Sequence, residues 1–187
     1  TKFEIGYFEG IKSVYPDAEF VDYYANSWGA PELAKAVAKS WYDSGVYCIF
    51  SAAGVTGGGT IAQAKEYRMA GRNVWAIGVD SDQYEDGIYD GKNSAVLTSM
   101  LKVVENSTVD ALKKTADGSW KGGVVNQNMA NGGVGYSKAN PAIADEALKA
   151  ADKAAEGILN GSIKIDKTYK AALASGLLPA GLSAIDD

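Results

Sequence analysis

The chain has 187 residues, of which 47% are hydrophobic and 22% charged, and its formal net charge is -5. This composition is typical of a folded globular protein with a substantial core, and the acidic balance argues against nucleic-acid binding, which needs a basic face. The chain has no histidine, which excludes histidine-based triads and histidine metal sites. Its one cysteine, Cys48, lies in an apolar run typical of a buried, inert thiol.

Apolar residues recur at three- and four-residue steps in some segments and form short unbroken runs in others, which predicts alternating helices and strands. In chain order the predicted elements are a helix at 3–15, a strand at 19–24, a helix from 31 to a glycine cap at 45, a strand at 46–50, a helix at 60–69, strands at 74–79 and 95–100, a helix at 103–116, a strand at 124–127, a helix at about 141–159 and a short helix near 169. Strands separated by helices indicate right-handed crossovers and a doubly wound, mostly parallel sheet. We therefore expect a single α/β lobe over 1–187, with a C-terminal helix at about 141–159 and a tail at 163–187.

A glycine-rich turn, GVTGGG at 54–59, joins the strand at 46–50 to the next helix. Glycines there let ligand oxygens approach main-chain N–H groups at a helix N-terminus, where the helix dipole favours negative charge. The turn is not a Walker A loop, because no Gly-Lys-Ser/Thr follows. With Asp80 about twenty residues later, it partly resembles the glycine turn of dinucleotide-binding dehydrogenases. The alternative is a tight strand-to-helix turn that contacts no ligand.

Charged residues follow two of the predicted strands: Asp80 and Asp82 come after 74–79, and Lys102 after 95–100. The carboxyl ends of parallel strands are where such sheets bind ligands. On an extended backbone Asp80 and Asp82 would project from one side, where a carboxylate accepts charge-assisted hydrogen bonds from vicinal sugar hydroxyls. Lys102 could bond a sugar or an acid such as Asp80. The alternative for each of these residues is a solvated or helix-capping side chain.

Two aromatic residues also occupy loop or strand-end positions, namely Trp28 and Phe50. Stacking a heterocycle on an aromatic ring contributes about 0.5–1.5 kcal/mol beyond the buried area. A core position explains Phe50 at least as well. Trp28 lies among polar residues and glycine, and is harder to explain as part of a core.

Several short segments follow one another in a defined order: FEGIK at 8–12 with Tyr15-Pro16, IFSAAG at 49–54, TG at 56–57, IGVDSDQ at 77–83, LTS at 97–99 with Lys102, and NGGVG at 131–135. Together they resemble the basic membrane protein family of bacterial substrate-binding proteins, which includes purine-nucleoside receptors of ABC importers. The resemblance covers most of the chain to about residue 165, and GVDSDQ is its most specific piece. The family usually has Gly-Gly-Thr-Gly where this chain has Val55 at the second glycine.

The resemblance implies one lobe of a type I periplasmic-binding-protein fold, with the ligand clamped between two lobes. The chain corresponds to the second lobe, so the first lobe is expected on polypeptide outside it. A binding protein rather than an enzyme is implied, with no catalytic residue, cofactor or metal. Its implied partners are a purine nucleoside or related small polar ligand and an ABC permease, not nucleic acid. The implied location is extracytoplasmic, in the periplasm or on the cell surface, with a lipid anchor in the full-length protein.

Transferred residue by residue, the resemblance also implies ligand-binding roles. Asp80 would hold the ribose hydroxyls, and Lys102 would assist on the sugar side. Gly54 would bring a main-chain N–H close to the sugar. Phe50 or Trp28 would form an aromatic wall against the base.

Two other functions stay open on the residues alone. An NAD(P)-dependent oxidoreductase would use the glycine-rich turn and Asp80 to bind its cofactor. Against it, the turn follows the second predicted strand rather than the first, and neither a Tyr-x-x-x-Lys pair nor a histidine supplies the proton. A sugar-sensing lobe of a transcription regulator would share the general fold, but the sequence shows no helix-turn-helix.

Overall fold

The computed structural model describes residues 2–176 and residue 178, so part of the predicted tail at 163–187 lies outside the described residues. The chain divides into two compact units. The first, called the sheet unit here, is Ser27–Asp152, and the second, the terminal unit, combines the described residues within Thr1–Asn26 and Lys153–Asp187. The expectation of a single lobe stays a prediction.

Most of the helices and strands that the sequence predicts are present. The helices are α1 (Lys2–Val14), α2 (Pro31–Asp43), α3 (Gly57–Met69), α4 (Val104–Ala116), α5 (Asp145–Leu159) and α6 (Tyr169–Ala174). The strands are β1 (Cys48–Phe50), β2 (Trp75–Asp80), β3 (Val96–Lys102) and β4 (Val134–Tyr136). These bounds confirm all of the predicted helices, although α5 begins later than expected, and they confirm the predicted strands at 46–50, 74–79 and 95–100.

The sheet lies in the sheet unit, with strand order β1-β2-β3-β4. The first three strands are parallel and β4 is antiparallel to β3, so the fold is α/β with a mostly parallel sheet flanked by helices. Its core consists of apolar residues from the strands and from α2 and α3, among them Tyr42, Ile49, Ile61 and Val96. The Tyr42 hydroxyl is buried and donates to the Trp75 carbonyl at 2.9 Å, which fixes α2 to the beginning of β2.

The predictions of strands at 19–24 and 124–127 were wrong. Residues 19–24 have no strand pairing and instead pack against α1 through side chains. The rings of Phe20 and Phe8 lie 4.3 Å apart, and the Tyr24 hydroxyl donates to Glu4 at 2.7 Å. Residues 124–127 form no strand either, and Val124 is 91% exposed. A short apolar run becomes a strand only where another strand supplies its hydrogen bonds.

The terminal unit has its own apolar cluster, which contains Ile5 and Phe8 of α1 together with Ala172 and Leu178. A carboxyl group lies beside this cluster. Glu9 is only 5% exposed, and it accepts a hydrogen bond from the Asp166 N–H at 3.3 Å. Burial raises the pKa of the Glu9 carboxyl, and the neighbouring Asp166 charge adds to the rise.

We expect Glu9→Gln to stabilise the chain at neutral pH by an amount that shrinks as the pH falls. A carboxyl whose pKa is raised by folding binds its proton more tightly in the folded state, so folding is favoured at low pH. This stabilisation of the folded state by protonated Glu9 is lost as the pH rises from the ordinary pKa of glutamate through the raised pKa of Glu9. Thermal unfolding of both proteins between about pH 4 and pH 8 measures the difference. Glu19→Gln, at an exposed position, removes the same charge and is the control. Melting temperatures of Glu9→Gln and wild type that change in parallel with pH would contradict the prediction.

Candidate functional site

The candidate site lies in the sheet unit, where the parallel strands β2 and β3 end. Asp80 is the last residue of β2 and Lys102 the last of β3, and the strand register pairs Asp80 with Leu101. The two side chains form an ion pair with Lys102 Nζ 2.7 Å from Asp80 Oδ1, which confirms that Lys102 reaches Asp80. About half of each side chain stays exposed, 49% for Asp80 and 44% for Lys102, so both are open to a ligand.

Asp80 has a backbone conformation that is uncommon for a residue with a side chain. Its φ is +70°, in the left-handed region, which aspartate tolerates better than most residues. The chain therefore turns sharply at Asp80, and the Ser81 N–H donates to the Val79 carbonyl at 2.9 Å. Strained backbone of this kind concentrates at functional sites.

The expectation that Asp80 and Asp82 project together from an extended backbone was wrong. The left-handed turn at Asp80 ends the strand, so Asp82 is no longer part of the same pleated backbone. Asp82 Oδ1 instead accepts from the Tyr84 N–H at 3.1 Å, an Asx turn that shapes the following loop. Asp80 is therefore the carboxylate that the last residue of β2 provides.

Gln83, which the sequence interpretation had not singled out for a role, fixes the turn behind Asp80. Its side-chain oxygen accepts from the Val79 N–H at 3.0 Å, and its own N–H donates to Ser99 Oγ at 3.0 Å. Gly78 leaves room for both side chains, because a Cβ atom there would lie 2.6 Å from Ser99 Oγ and 2.8 Å from Gln83 Oε1. The only sequence signal was the position of Gln83, directly after Asp80-Ser81-Asp82.

Trp28 and Gly54 are brought together at the beginning of the glycine-rich turn. Gly54 has a φ of +56°, and a Cβ atom there would lie 3.4 Å from Trp28 Cε3, so the indole packs against the glycine. Trp28 remains 74% exposed. An indole held by its backbone and open on most of its surface can stack against a flat ligand.

Thr56 fixes the Trp28 loop, a role that the sequence analysis missed. The side chain is 1% exposed, and its hydroxyl donates to the Ser27 carbonyl and accepts from the Ala30 N–H, both at 2.8 Å. The Thr56 N–H also donates to the Trp28 carbonyl at 3.2 Å. Three hydrogen bonds therefore join the loop before α2 to the turn before α3.

Replacing Thr56 with valine should free the Trp28 loop without changing the volume of the side chain. The variant leaves buried polar groups unpaired, so we expect a loss of about 1–3 kcal/mol in unfolding free energy. The Ala30 amide should also exchange its hydrogen about tenfold faster or more. Chemical denaturation and hydrogen exchange measure the two effects. Thr56→Ser keeps the hydroxyl, and an Ala30 amide that exchanges equally fast in both variants would contradict this role.

The later glycines of the turn serve packing rather than ligand access. A Cβ atom at Gly57 would lie 3.1 Å from the Ser51 carbonyl oxygen, and one at Gly59 would lie 1.8 Å from the Pro31 carbonyl oxygen of α2. Both glycines are buried, whereas Val55 is 72% exposed. The tight-turn interpretation therefore accounts for Gly57 and Gly59, and of the turn's glycines Gly54 alone adjoins the exposed Trp28.

Phe50 is the last residue of β1 and lies opposite Ile77 of β2 in the strand register. It is half-buried, and it lies at the same end of the sheet as Asp80. The structure thus joins the sequence-predicted residues in two pairs, Asp80 with Lys102 and Trp28 with Gly54, and Phe50 ends the strand next to β2. Together they offer a carboxylate, an ammonium group and aromatic surface.

Comparison with known protein families identifies the family of the chain. A family model described as ABC transporter substrate-binding protein PnrA-like, the Bmp family, matches residues 1–169. The chain belongs to this family. The sequence resemblance is thereby confirmed, and it supports a substrate-binding role in an ABC transporter.

Individual relatives agree with this assignment. A CD4+ T-cell-stimulating antigen from Listeria innocua is 35% identical over 171 residues, which is 88% of this chain and 48% of the relative. An ABC transporter nucleoside-binding protein from Lactococcus lactis subsp. cremoris is 38% identical over 175 residues, which is 88% of this chain and 49% of the relative. The chain therefore spans about half the length of these curated relatives.

The fold has a counterpart among solved structures. An ABC transporter solute-binding protein from Aeropyrum pernix K1 superposes with a TM-score of 0.76 at 22% identity, covering 94% of this chain and 57% of that chain. At this identity the similarity concerns the fold alone. It confirms the predicted α/β class with the architecture of ABC solute-binding proteins.

Proposed function

We propose that this Bmp-family chain is part of the substrate-binding component of an ABC importer and binds a purine nucleoside or a related small polar ligand. The observation that carries the proposal is the half-exposed Asp80–Lys102 ion pair at the end of two parallel strands. The Lactococcus lactis relative is named as a nucleoside-binding protein, which supports the ligand class.

The ion pair suits the sugar of such a ligand. The Asp80 carboxylate has two oxygens, and Lys102 Nζ lies 2.7 Å from Oδ1. A carboxylate accepts hydrogen bonds from two vicinal hydroxyls, each about 1.5–3 kcal/mol in strength, and the lysine ammonium donates to a further oxygen. The left-handed backbone at Asp80 fixes the position of that carboxylate before the ligand arrives.

Aromatic surface suits the base. Trp28 is exposed beside Gly54, and the proposal assigns it or Phe50 to stacking on the purine, with the Gly54 main chain near the sugar. The proposal includes no catalytic residue, metal or cofactor, and it treats the protein as a binding protein rather than an enzyme.

The proposed partners follow from the transporter role. A first lobe carried by further polypeptide would close over the ligand, and the closed form would dock on the permease because the ligand binds that form more tightly. We place the protein outside the cytoplasm, in the periplasm or at the cell surface, with a lipid anchor in the full-length protein. Among the described residues, the helices are all too short or too polar to cross a bilayer.

Calorimetric titration and thermal shift with adenosine, guanosine, inosine, free purines, ribose and NAD test the ligand. The titrations use this chain and a chimera, in which the chain replaces the segment that it matches in the Lactococcus lactis relative. We expect the chimera to bind a nucleoside more tightly than ribose or free purine, because only the nucleoside reaches both the ion pair and the aromatic surface. A response to NAD alone would support the oxidoreductase alternative, and a folded chimera that binds no nucleoside would contradict the proposal.

A further inference from the structure

The sequence contains two Asn-Gly pairs, Asn131-Gly132 and Asn160-Gly161. Such pairs are chemically labile, because glycine has no side chain to hinder its main-chain nitrogen from approaching the preceding side-chain amide. Both pairs are exposed at the end of a helical segment. In each, the glycine is left-handed, with a φ of +71° at Gly132 and +78° at Gly161, and its N–H donates at 3.2 Å to the carbonyl three residues earlier. The pairs therefore differ mainly in the contacts of the asparagine side chain.

The Asn131 side chain is held through both of its polar atoms. Its Oδ1 accepts from the Asn128 N–H at 2.9 Å and from the Gly133 N–H at 3.2 Å, and its Nδ2 donates to the Asn126 carbonyl at 3.0 Å. The Asn128 side chain accepts in turn from the Asn131 N–H at 3.3 Å, which completes a capping box. The amide carbon of Asn131 cannot approach the next main-chain nitrogen until these bonds break.

The Asn160 side chain is held much less firmly. Within the part of the chain that the structure describes, it forms one hydrogen bond, in which Oδ1 accepts from the Ser162 N–H at 2.9 Å. This bond corresponds to the one between Asn131 and Gly133, and the other two bonds have no equivalent. The rotation that brings the Asn160 amide carbon towards the Gly161 nitrogen therefore breaks one hydrogen bond rather than three.

We propose that Asn160 is a site of spontaneous deamidation through a cyclic imide, and that the capping box protects Asn131 from the same reaction. The Gly161 main-chain nitrogen loses its proton and attacks Asn160 Cγ. The new C–N bond forms as the Cγ–Nδ2 bond breaks, and Nδ2 takes up a proton and leaves as ammonia. Water then opens the imide at either carbonyl. One product is aspartate, and the other is isoaspartate, in which the main chain runs through the side-chain carbons.

The modification falls where α5 ends. The Gly157 carbonyl accepts from the Ile163 N–H at 2.9 Å and from Ser162 Oγ at 3.3 Å, which closes the helix. Isoaspartate lengthens the main chain between Asn160 and Gly161, inside this closing turn. Either product also places a negative charge at a helix C-terminus, where the helix dipole disfavours it. The converted chain should therefore lose the last turn of α5 and melt a few degrees lower.

The test incubates the chain at mildly alkaline pH and follows both sites by peptide mapping with mass spectrometry, which detects the acid and resolves isoaspartate. We expect Asn160 to convert about tenfold faster or more than Asn131, because two further hydrogen bonds must break at Asn131. In urea, where the folded contacts are absent, the two sites should convert at similar rates. Asn160→Gln is the control, because its longer side chain does not close the same ring, so it should abolish both the modification at this position and the fall in melting temperature.

Asn128→Ala tests the protection of Asn131. The variant removes the side-chain acceptor of the capping box, so conversion of Asn131 should accelerate towards the rate of Asn160, while Asn160 itself is unaffected. Equal rates at the two sites in the folded wild type, or an Asn160 that converts only after unfolding, would overturn the modification site. An Asn131 rate that Asn128→Ala leaves unchanged would overturn the protective role of the capping box.

Discussion

Gly59→Ala is expected to lower the free energy of unfolding by about 3 kcal/mol although it adds a single methyl group. The new Cβ would lie 1.8 Å from the Pro31 carbonyl oxygen and 2.8 Å from the Lys35 N–H nitrogen, both backbone atoms of α2. Backbone atoms cannot rotate away as a side chain does, so α2 and α3 would have to separate. That separation also strains the 2.6 Å ion pair between Lys35 and Glu66, which joins the two helices. Thermal unfolding should show a fall of roughly 6–12 °C for a chain of this size.

Gly58→Ala is the matched control for this experiment. Gly58 is exposed, and a Cβ atom there would meet nothing within 4 Å. Because alanine is favoured over glycine inside a helix by up to about 1 kcal/mol, the control should be neutral or stabilising. A similar loss of stability in both variants would mean that the close approach of α2 and α3 is not what requires Gly59.

Asp80→Asn should weaken nucleoside binding by the chimera about 10- to 100-fold, equivalent to about 1.4–2.8 kcal/mol. The substitution removes the charge that strengthens hydrogen bonds to ribose hydroxyls, and it leaves the Lys102 ammonium without its carboxylate. Asparagine tolerates the left-handed conformation that Asp80 adopts, so the strand should still end in the same turn. Loss of a half-exposed ion pair costs little, about 1 kcal/mol or less, so the melting temperature should hardly change. Calorimetric titration measures the affinity.

Asp82→Asn removes the same charge two residues later. Its Oδ1 can still accept from the Tyr84 N–H, so the Asx turn remains and nucleoside affinity should stay within about twofold of wild type. If both substitutions weaken binding equally, a general effect of negative charge near the site explains the result better than contact with Asp80. An unchanged affinity in Asp80→Asn would remove Asp80 from the proposed site.

The fold was predictable where the apolar pattern was long and regular. The parallel strands β1, β2 and β3 and the helices between β1 and β4 follow directly from that pattern. β4 was missed because Val134–Tyr136 is short and interrupted by glycine. The late beginning of α5 was not predictable from periodicity, because it depends on Asn140. That buried side chain donates to the Val96 carbonyl and accepts from the Ala142 N–H, both at 2.8 Å, which holds 140–142 in a turn.

The charged residues of the candidate site were predictable from the sequence, but the hydrogen bonds that hold the surrounding turns were not. Parallel strands of known order bring their carboxyl ends to one edge, so the meeting of Asp80 and Lys102 could be inferred from position alone. The left-handed turn at Asp80 could not, because apolar periodicity carries no information on φ. The roles of Thr56 and Gln83 depend on hydrogen bonds to segments distant in sequence, such as Ser27 for Thr56, and no local pattern indicates them.

Thr56, which supports Trp28, is almost fully buried, whereas Trp28 is largely exposed and Asp80 is half-exposed. Under the proposed function, the side chains that hold the local structure and those that would contact the ligand are therefore different ones. A substitution at Trp28 or Val55 changes the surface offered to a ligand without opening a cavity in the core, so it should be tolerated by the fold. If the proposed site is correct, this separation would let ligand preference diverge during evolution while the architecture stays constant, and the exposed positions would be the ones to randomise when new binding specificities are selected.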